Sequence, residues 1–397
     1  MIDRGHCLIS KAGPARRMKS IKQSGIRRFF ALAMNMPHCI NLSVGEPDFS
    51  PPEHALKAGF RAASEGNTHY SATNGVPELR EALSQKTYRD YGLRYDPDSE
   101  ILVTVGGTEA VLATLLGWLN LGDEVLVPDP GFVVYEPDVL LAEGTPVHVP
   151  LVESNNFSPS PIDVMSLITE KSRVIVLNYP NNPTGAVLPY EEIAALAKIA
   201  VERDLIVISD EVYEKIVYDG TRHYCLAAFP GMRERTLVVN SFSKTYAMTG
   251  LRVGYVCGSK ELLSPLWLVH QYMVACVDTL SQHVALAALN GPQDFVRDMV
   301  REFDKRRHLV FERLNEIAGF RCSLPKGAFY AFPNIEGFGL PSEKFAEFLA
   351  KEAGVLTVPG SAFGSLGENH IRLSYAASYP KLEEALDRME KALRKLA

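Results

Sequence analysis

Short apolar runs recur along this chain, and none of them has a polar alternate face. Ile101–Val105, Glu124–Val127, Arg173–Asn178, Leu205–Ser209, Leu237–Asn240 and Val253–Cys257 are rich in Val, Ile and Leu. A strand wetted on one side alternates polar and apolar residues, so runs without alternation belong to strands covered on both faces. Helical patterns lie between them. Glu191–Arg203 sets Ile193, Leu196, Ala197 and Ala200 on one stripe, with Pro189 just ahead of it. Strand, helix and strand in succession predict βαβ units and an α/β fold with a mainly parallel central sheet.

The pattern changes after about residue 285. Charged helices are expected over Gln293–Ala318 and Glu343–Ala353, and a last helix carries Leu382, Leu386, Met389, Leu393 and Leu396 at helical spacing. With 397 residues the chain is long enough for two or three domains. The expected division is an N-terminal arm and part of a small domain (1–45), a large domain (46–285) and a smaller α+β domain (286–397). Forty-one basic against 47 acidic residues argue against a general nucleic-acid binder.

Six cysteines, at 7, 39, 225, 257, 276 and 322, form no C-x-x-C pair and suit reduced thiols in a cytoplasmic protein. The apolar run Phe29–Met34 after Arg27-Arg28 is broken by Asn35, Pro37 and His38, too soon for a secretory signal. Ala110–Leu121 is too short to span a membrane. No metal site is expected.

Phosphate-loop, dinucleotide, zinc-protease and serine-hydrolase motifs are absent. Ser241-Phe242-Ser243-Lys244 matches S-x-x-K, but the S-D-N and K-T-G partners of that acylase family are missing. Four other segments stand at the expected ends of strands, where open α/β sheets bind ligands. Val105-Gly106-Gly107-Thr108 opens a helix and offers free N–H groups to an anion. Asn178-Tyr179-Pro180-Asn181-Asn182-Pro183-Thr184-Gly185 is a constrained loop that fixes the Asn182 amide. Ile206–Ser209 delivers Asp210 to a strand tip, with Tyr213 three residues on. Asn240–Tyr246 carries Lys244, and Gly250–Gly254 carries Arg252. A buried lysine can act as an amine nucleophile. Lysine, carboxylate, tyrosine, asparagine and a phosphate well are the parts of a pyridoxal phosphate site.

These segments, in this order, resemble the class I/II pyridoxal phosphate-dependent aminotransferases of fold type I over nearly the whole chain. Asp210 and Lys244 are 34 residues apart, Lys244 and Arg252 eight, as in the family pattern. The resemblance implies roles residue by residue. Lys244 matches the Schiff-base lysine and proton shuttle, and Asp210 the partner of the pyridine nitrogen. Tyr213 and Asn182 match the donors to the ring 3-hydroxyl, and Phe132 the aromatic stacked on the ring. Gly106, Gly107, Thr108, Ser241, Ser243 and Arg252 match the phosphate cradle. Tyr70 matches a residue reaching the neighbouring subunit's phosphate, which implies a homodimer. Gly45, Asn182 and Arg372 match the clamp on the substrate α-carboxylate, where a planar guanidinium suits a carboxylate bidentately.

The implied reaction moves the amino group of an L-amino acid to a 2-oxo acid, with 2-oxoglutarate as the expected acceptor, by a ping-pong route. A β-eliminating carbon–sulfur lyase on the same scaffold is the alternative. A non-catalytic cofactor-sensing module is disfavoured, because the residues before Asn41 are too few for a DNA-binding segment. Some bacterial aspartate aminotransferases of this branch carry a lysine where this chain has Thr108, which counts against aspartate specificity; the overall string pattern resembles archaeal-type aromatic or broad-specificity enzymes more closely. Side-chain selection is expected near Ile26 and Val44.

Overall fold

The computed structural model of the chain describes residues 13–21 and 38–395. The expectations for Cys7, Ile26, the Phe29–Met34 run, most of the N-terminal arm and Leu396 lie outside the described residues. A two-residue strand, β1 (Ile40–Asn41), precedes the central sheet. That sheet is built from β2 (Ile101–Thr104), β3 (Glu124–Asp129), β4 (Thr145–Pro150), β5 (Ser172–Asn178), β6 (Ile206–Asp210), β7 (Thr236–Ser241) and β8 (Gly254–Cys257). Their order across the sheet is β2-β8-β7-β6-β5-β3-β4. All neighbours are parallel except β8, which runs antiparallel to β2 and β7.

All six apolar runs form strands, and burial on both faces explains their composition. Leu102, Ile208 and Val239 enter one core cluster, while their neighbours Val103, Val207 and Val238 enter clusters on the opposite face. The seventh strand, β4, is not foreseen. It lies at the sheet edge, is partly exposed and contains Pro146 and Pro150, which an edge strand tolerates. The α/β class and the mainly parallel sheet are as the sequence implies.

The last third of the chain builds a second layer. β9 (Tyr330–Ala331), β11 (Val358–Pro359) and β12 (Ile371–Ser374) form a three-stranded antiparallel sheet with β12 in the middle. β1 pairs in parallel with β10 (Val355–Leu356), tying an early segment to the last third of the chain. The helix Asp294–Glu316 contributes Phe303, Val310 and Leu314 to a core shared with Leu382, Leu386, Met389 and Leu393 of the last helix, Tyr379–Leu393. The helix expected over Glu343–Ala353 starts at Ser342 and widens into a π-helical turn over Leu349–Ala353. Among the described residues no helix is long and apolar enough to cross a membrane.

Candidate active site

The C-terminal ends of β3, β5, β6 and β7 and the residues after β2 open onto one cavity of about 1000 Å³. Its lining includes Thr108, Phe132, Asn182, Asp210, Tyr213, Lys244, Arg252 and Arg372, residues spread over two-thirds of the chain.

One wall is a small concave pocket for an anion. The helix Gly106–Trp118 starts directly after β2, so its first N–H groups face the cavity. Gly106 has φ +77°, and a Cβ there would lie 2.4 Å from Arg252 Nη2. A Cβ on Gly254 would lie 2.6 Å from the Gly106 carbonyl carbon. Side chains at these two positions would collide with Arg252 and with the start of the helix, so the small residues let these segments pack closely. Arg252 is held by its Nη1 donating to Thr249 O at 2.8 Å. Ser241 caps the short helix Phe242–Thr245, accepting from Ser243 N, and its hydroxyl lies 2.8 Å from Ser243 Oγ.

The opposite wall presents Asp210 at the tip of β6, buried. Tyr135 donates its hydroxyl to Asp210 Oδ2 at 2.7 Å, and Val212 N–H donates to Oδ1 at 3.3 Å. Burial dominates, pushing the Asp210 carboxyl up to about 6 despite these donors and nearby Lys244. A cation placed against it would restore the ionised form. Asn178 ties two segments together: its Nδ2 donates to Asp210 O at 3.1 Å and its Oδ1 accepts from Asn182 N at 3.0 Å.

Lys244 stands between these walls. Its ammonium donates to Gly45 O at 2.6 Å. Burial first, then the positive charges of Arg372 and Arg252, push Lys244 down to about 8, against the opposing pull of Glu46 and Asp210. An amine that is half neutral near pH 8 can act as nucleophile or base.

The upper rim is built from the second layer and the N-terminal segment. Arg372 on β12 is 1% exposed. It donates from Nη1 to Asn182 Oδ1 at 3.0 Å and from Nη2 to Ser43 O at 2.6 Å, while its Nε has no partner. Its guanidinium lies over the Tyr330 ring at 4.5 Å and the Phe363 ring at 4.9 Å. No carboxylate pairs with it among the described residues. An uncompensated buried cation is costly, and an arriving carboxylate would relieve that cost. A Cβ on Gly45 would lie 2.2 Å from Tyr330 Oη, so the small residue lets this segment approach.

Every sequence-expected site residue except Tyr70 falls in or beside this cavity. Tyr70 is 89% exposed and does not line its own chain's cavity. Two participants escape sequence reasoning. Tyr135 is three residues after Phe132 on the helix Tyr135–Leu141, and that spacing was the available signal. Tyr330, whose hydroxyl is 2.7 Å from that of Tyr213, comes from a distant strand and has no local signal.

The profile of the family described as "Aminotransferase class I and II" matches residues 37–389. The chain belongs to this family. The aminotransferase is 46% identical over 380 residues to the aspartate aminotransferase of Pyrococcus abyssi, covering 95% of this chain and 97% of that one. It is 45% identical to aromatic-amino-acid aminotransferase 2 of Thermococcus litoralis, with the same coverage. The crystal structure of an aromatic aminotransferase from Pyrococcus horikoshii superposes with a TM-score of 0.89 at 45% identity, over 94% of this chain and 100% of that one. The architecture is fold type I. Enzymes of the family use pyridoxal phosphate, and the cavity suits that cofactor. The helix start with Arg252 beside it would suit a phosphate, the buried carboxyl a protonated ring nitrogen, and the neutralisable amine an aldehyde.

Proposed function

We propose that this aminotransferase moves the amino group of an L-amino acid, aromatic, aspartate or broad in range, to 2-oxoglutarate by a ping-pong route. The observation that carries the reading is an amine lowered to about 8, Lys244, set between a buried carboxyl and an arginine that has no carboxylate partner among the described residues. Bound in the cavity, pyridoxal phosphate supplies an electrophilic aldehyde and a ring that accepts electrons.

The chain's own residues do the rest. Asp210 would keep the ring nitrogen protonated, and Tyr135 holds that carboxylate in place. Tyr213 and Asn182 would hold the ring hydroxyl, Phe132 would cover the ring, and Gly106, Gly107, Thr108, Ser241, Ser243 and Arg252 would hold the phosphate. Arg372 and Asn182, with Gly45, orient the substrate α-carboxylate. With the substrate so oriented, Lys244 Nζ would be the group placed to take the α-proton and hand it back.

The reading includes the division of the chain at residues 45 and 285, with substrate held across the join by Arg372 from one side and Lys244 from the other. It includes a homodimer in which Tyr70 serves the neighbouring site, supported by that residue's exposure. The described cysteines are all unpaired, which suits the reducing cytoplasm.

A panel of amino donors tests the reaction. The bound cofactor's visible absorbance should be lost on adding a donor and regained with 2-oxoglutarate. Pyruvate and ammonia released without an oxo-acid acceptor would favour the eliminating lyase instead. A Lys244→Ala enzyme turning over at the wild-type rate would overturn the assignment.

A further inference from the structure

We propose that His270 is a positioning residue that locks one subunit's phosphate cradle to the segment which that subunit lends to its neighbour. The inference rests on the reading that Tyr70 reaches the neighbouring site.

His270 lies on the helix Lys260–Val274 and is 0% exposed. Both ring nitrogens are engaged. Nε2 is 2.9 Å from Thr73 O, and a carbonyl can only accept, so Nε2 carries a hydrogen. Nδ1 is 2.6 Å from Glu109 Oε1. The second oxygen of Glu109 accepts the Val105 N–H at 2.5 Å. Glu109 follows Thr108 in the first turn of the cradle helix, and Val105 immediately precedes Gly106. One side of the imidazole therefore fixes both flanks of the glycine turn.

The other side fixes the segment that carries Tyr70. Thr73 is three residues beyond Tyr70, and the same segment is hung from the helix Thr279–Asn290. Thr279 Oγ1 donates to His69 O at 2.8 Å. Gln282 donates from Nε2 to Ser71 Oγ at 3.0 Å and accepts from Val76 N–H at 2.7 Å. A rigid ring between two acceptors, with no free space to rotate, transmits a displacement on either side to the other. Each cradle would thus be mechanically tied to the residue its subunit places in the opposite site.

Two near-isosteres cut one contact each. His270→Asn keeps a donor where Nδ1 was, toward Glu109, and loses Thr73. His270→Gln keeps a donor where Nε2 was, toward Thr73, and loses Glu109. Each should weaken binding of pyridoxal phosphate about tenfold, the worth of one buried hydrogen bond. Binding of pyridoxal, which lacks the phosphate, should change less than twofold. Glu109→Gln can accept from Val105 and donate to a neutral imidazole, so it should retain affinity where Glu109→Ala does not.

Hybrid dimers separate the two directions. A chain carrying Lys244→Ala with His270→Asn is paired with an otherwise native chain, and cofactor affinity is read at the native chain's site. The proposal expects that affinity to fall, as it should when Tyr70→Phe replaces His270→Asn. A normal affinity with His270→Asn but a lowered one with Tyr70→Phe overturns the lock and leaves the shared site standing. A normal affinity with Tyr70→Phe overturns the shared-site reading itself. Equal weakening of pyridoxal and pyridoxal phosphate would reduce His270 to a general structural role and sink the proposal.

Discussion

Arg372 shows how a single residue can be stable enough to keep and incomplete enough to bind. Two of its donors are satisfied by Asn182 and Ser43, and Nε is left without a partner in a buried place. Lysine cannot reproduce a planar fork. Arg372→Lys should raise KM for the amino donor ~100-fold in steady-state kinetics, equivalent to about 2.7 kcal/mol. Lys244 gives a pH dependence. Its amine attacks only when neutral, and its value of about 8 puts the neutral form in the majority above that pH. The rate at which apoenzyme captures pyridoxal phosphate should rise about tenfold per pH unit below 8 and level off above it. Asp210 runs the other way. Its folded value, about 6, is raised above 3.8, so the folded chain takes up a proton before the unfolded chain as pH falls. Stability is thereby gained on going from pH 6 toward 4, and the ionised carboxylate costs stability at neutral pH. Apo Asp210→Asn should melt higher than the parent at pH 7, with the gap closing below pH 6, while its cofactor affinity is lost. Melting curves across that range would check it.

At the scale of the element, the sheet explains why so much could be read in advance. Buried strands carry unbroken apolar runs, and residues just past their C-terminal ends inherit the site. Asp210, Asn182, Lys244 and Thr108 were legible for that reason. β4 was not, because an edge strand with two prolines lacks the apolar run. Tyr135 and Tyr330 were not, because their roles arise from packing between segments 75 and 117 residues apart. Tyr70 was legible as a motif, but its own chain's cavity does not include it, and its proposed place is in the neighbouring subunit. The glycine turn after β2 allows a sharp prediction. Gly106 combines a left-handed backbone with a Cβ position that Arg252 occupies. Gly106→Ala should lower cofactor affinity at least tenfold in equilibrium dialysis, an effect of about 1.4 kcal/mol or more.

The whole molecule carries a net charge of −6 and still gathers Lys244, Arg252 and Arg372 around one cavity. Net charge describes the solvent-facing surface, and local wells decide binding. That surface also carries two large exposed apolar side chains. Leu268 and Tyr272, one turn apart on the helix Lys260–Val274, are 57% and 80% exposed. Such exposed apolar residues suit the contact of the proposed homodimer, and the same helix holds His270 on its buried side. Tyr272→Glu should shift the protein toward monomers in sedimentation velocity, with a loss of cofactor affinity that deepens on dilution. The one reversed strand, β8, has a consequence for how the chain may vary. Parallel strands show the site their departing ends. β8 shows its arriving end instead, so Arg252 meets Ser241 and Gly106 at the same edge of the sheet. The chain leaves the site at Lys244 and is back in it at Arg252. The loop between them is therefore a ruler of fixed length, where one inserted residue would misplace a cofactor contact, although much of it lies away from the chemistry.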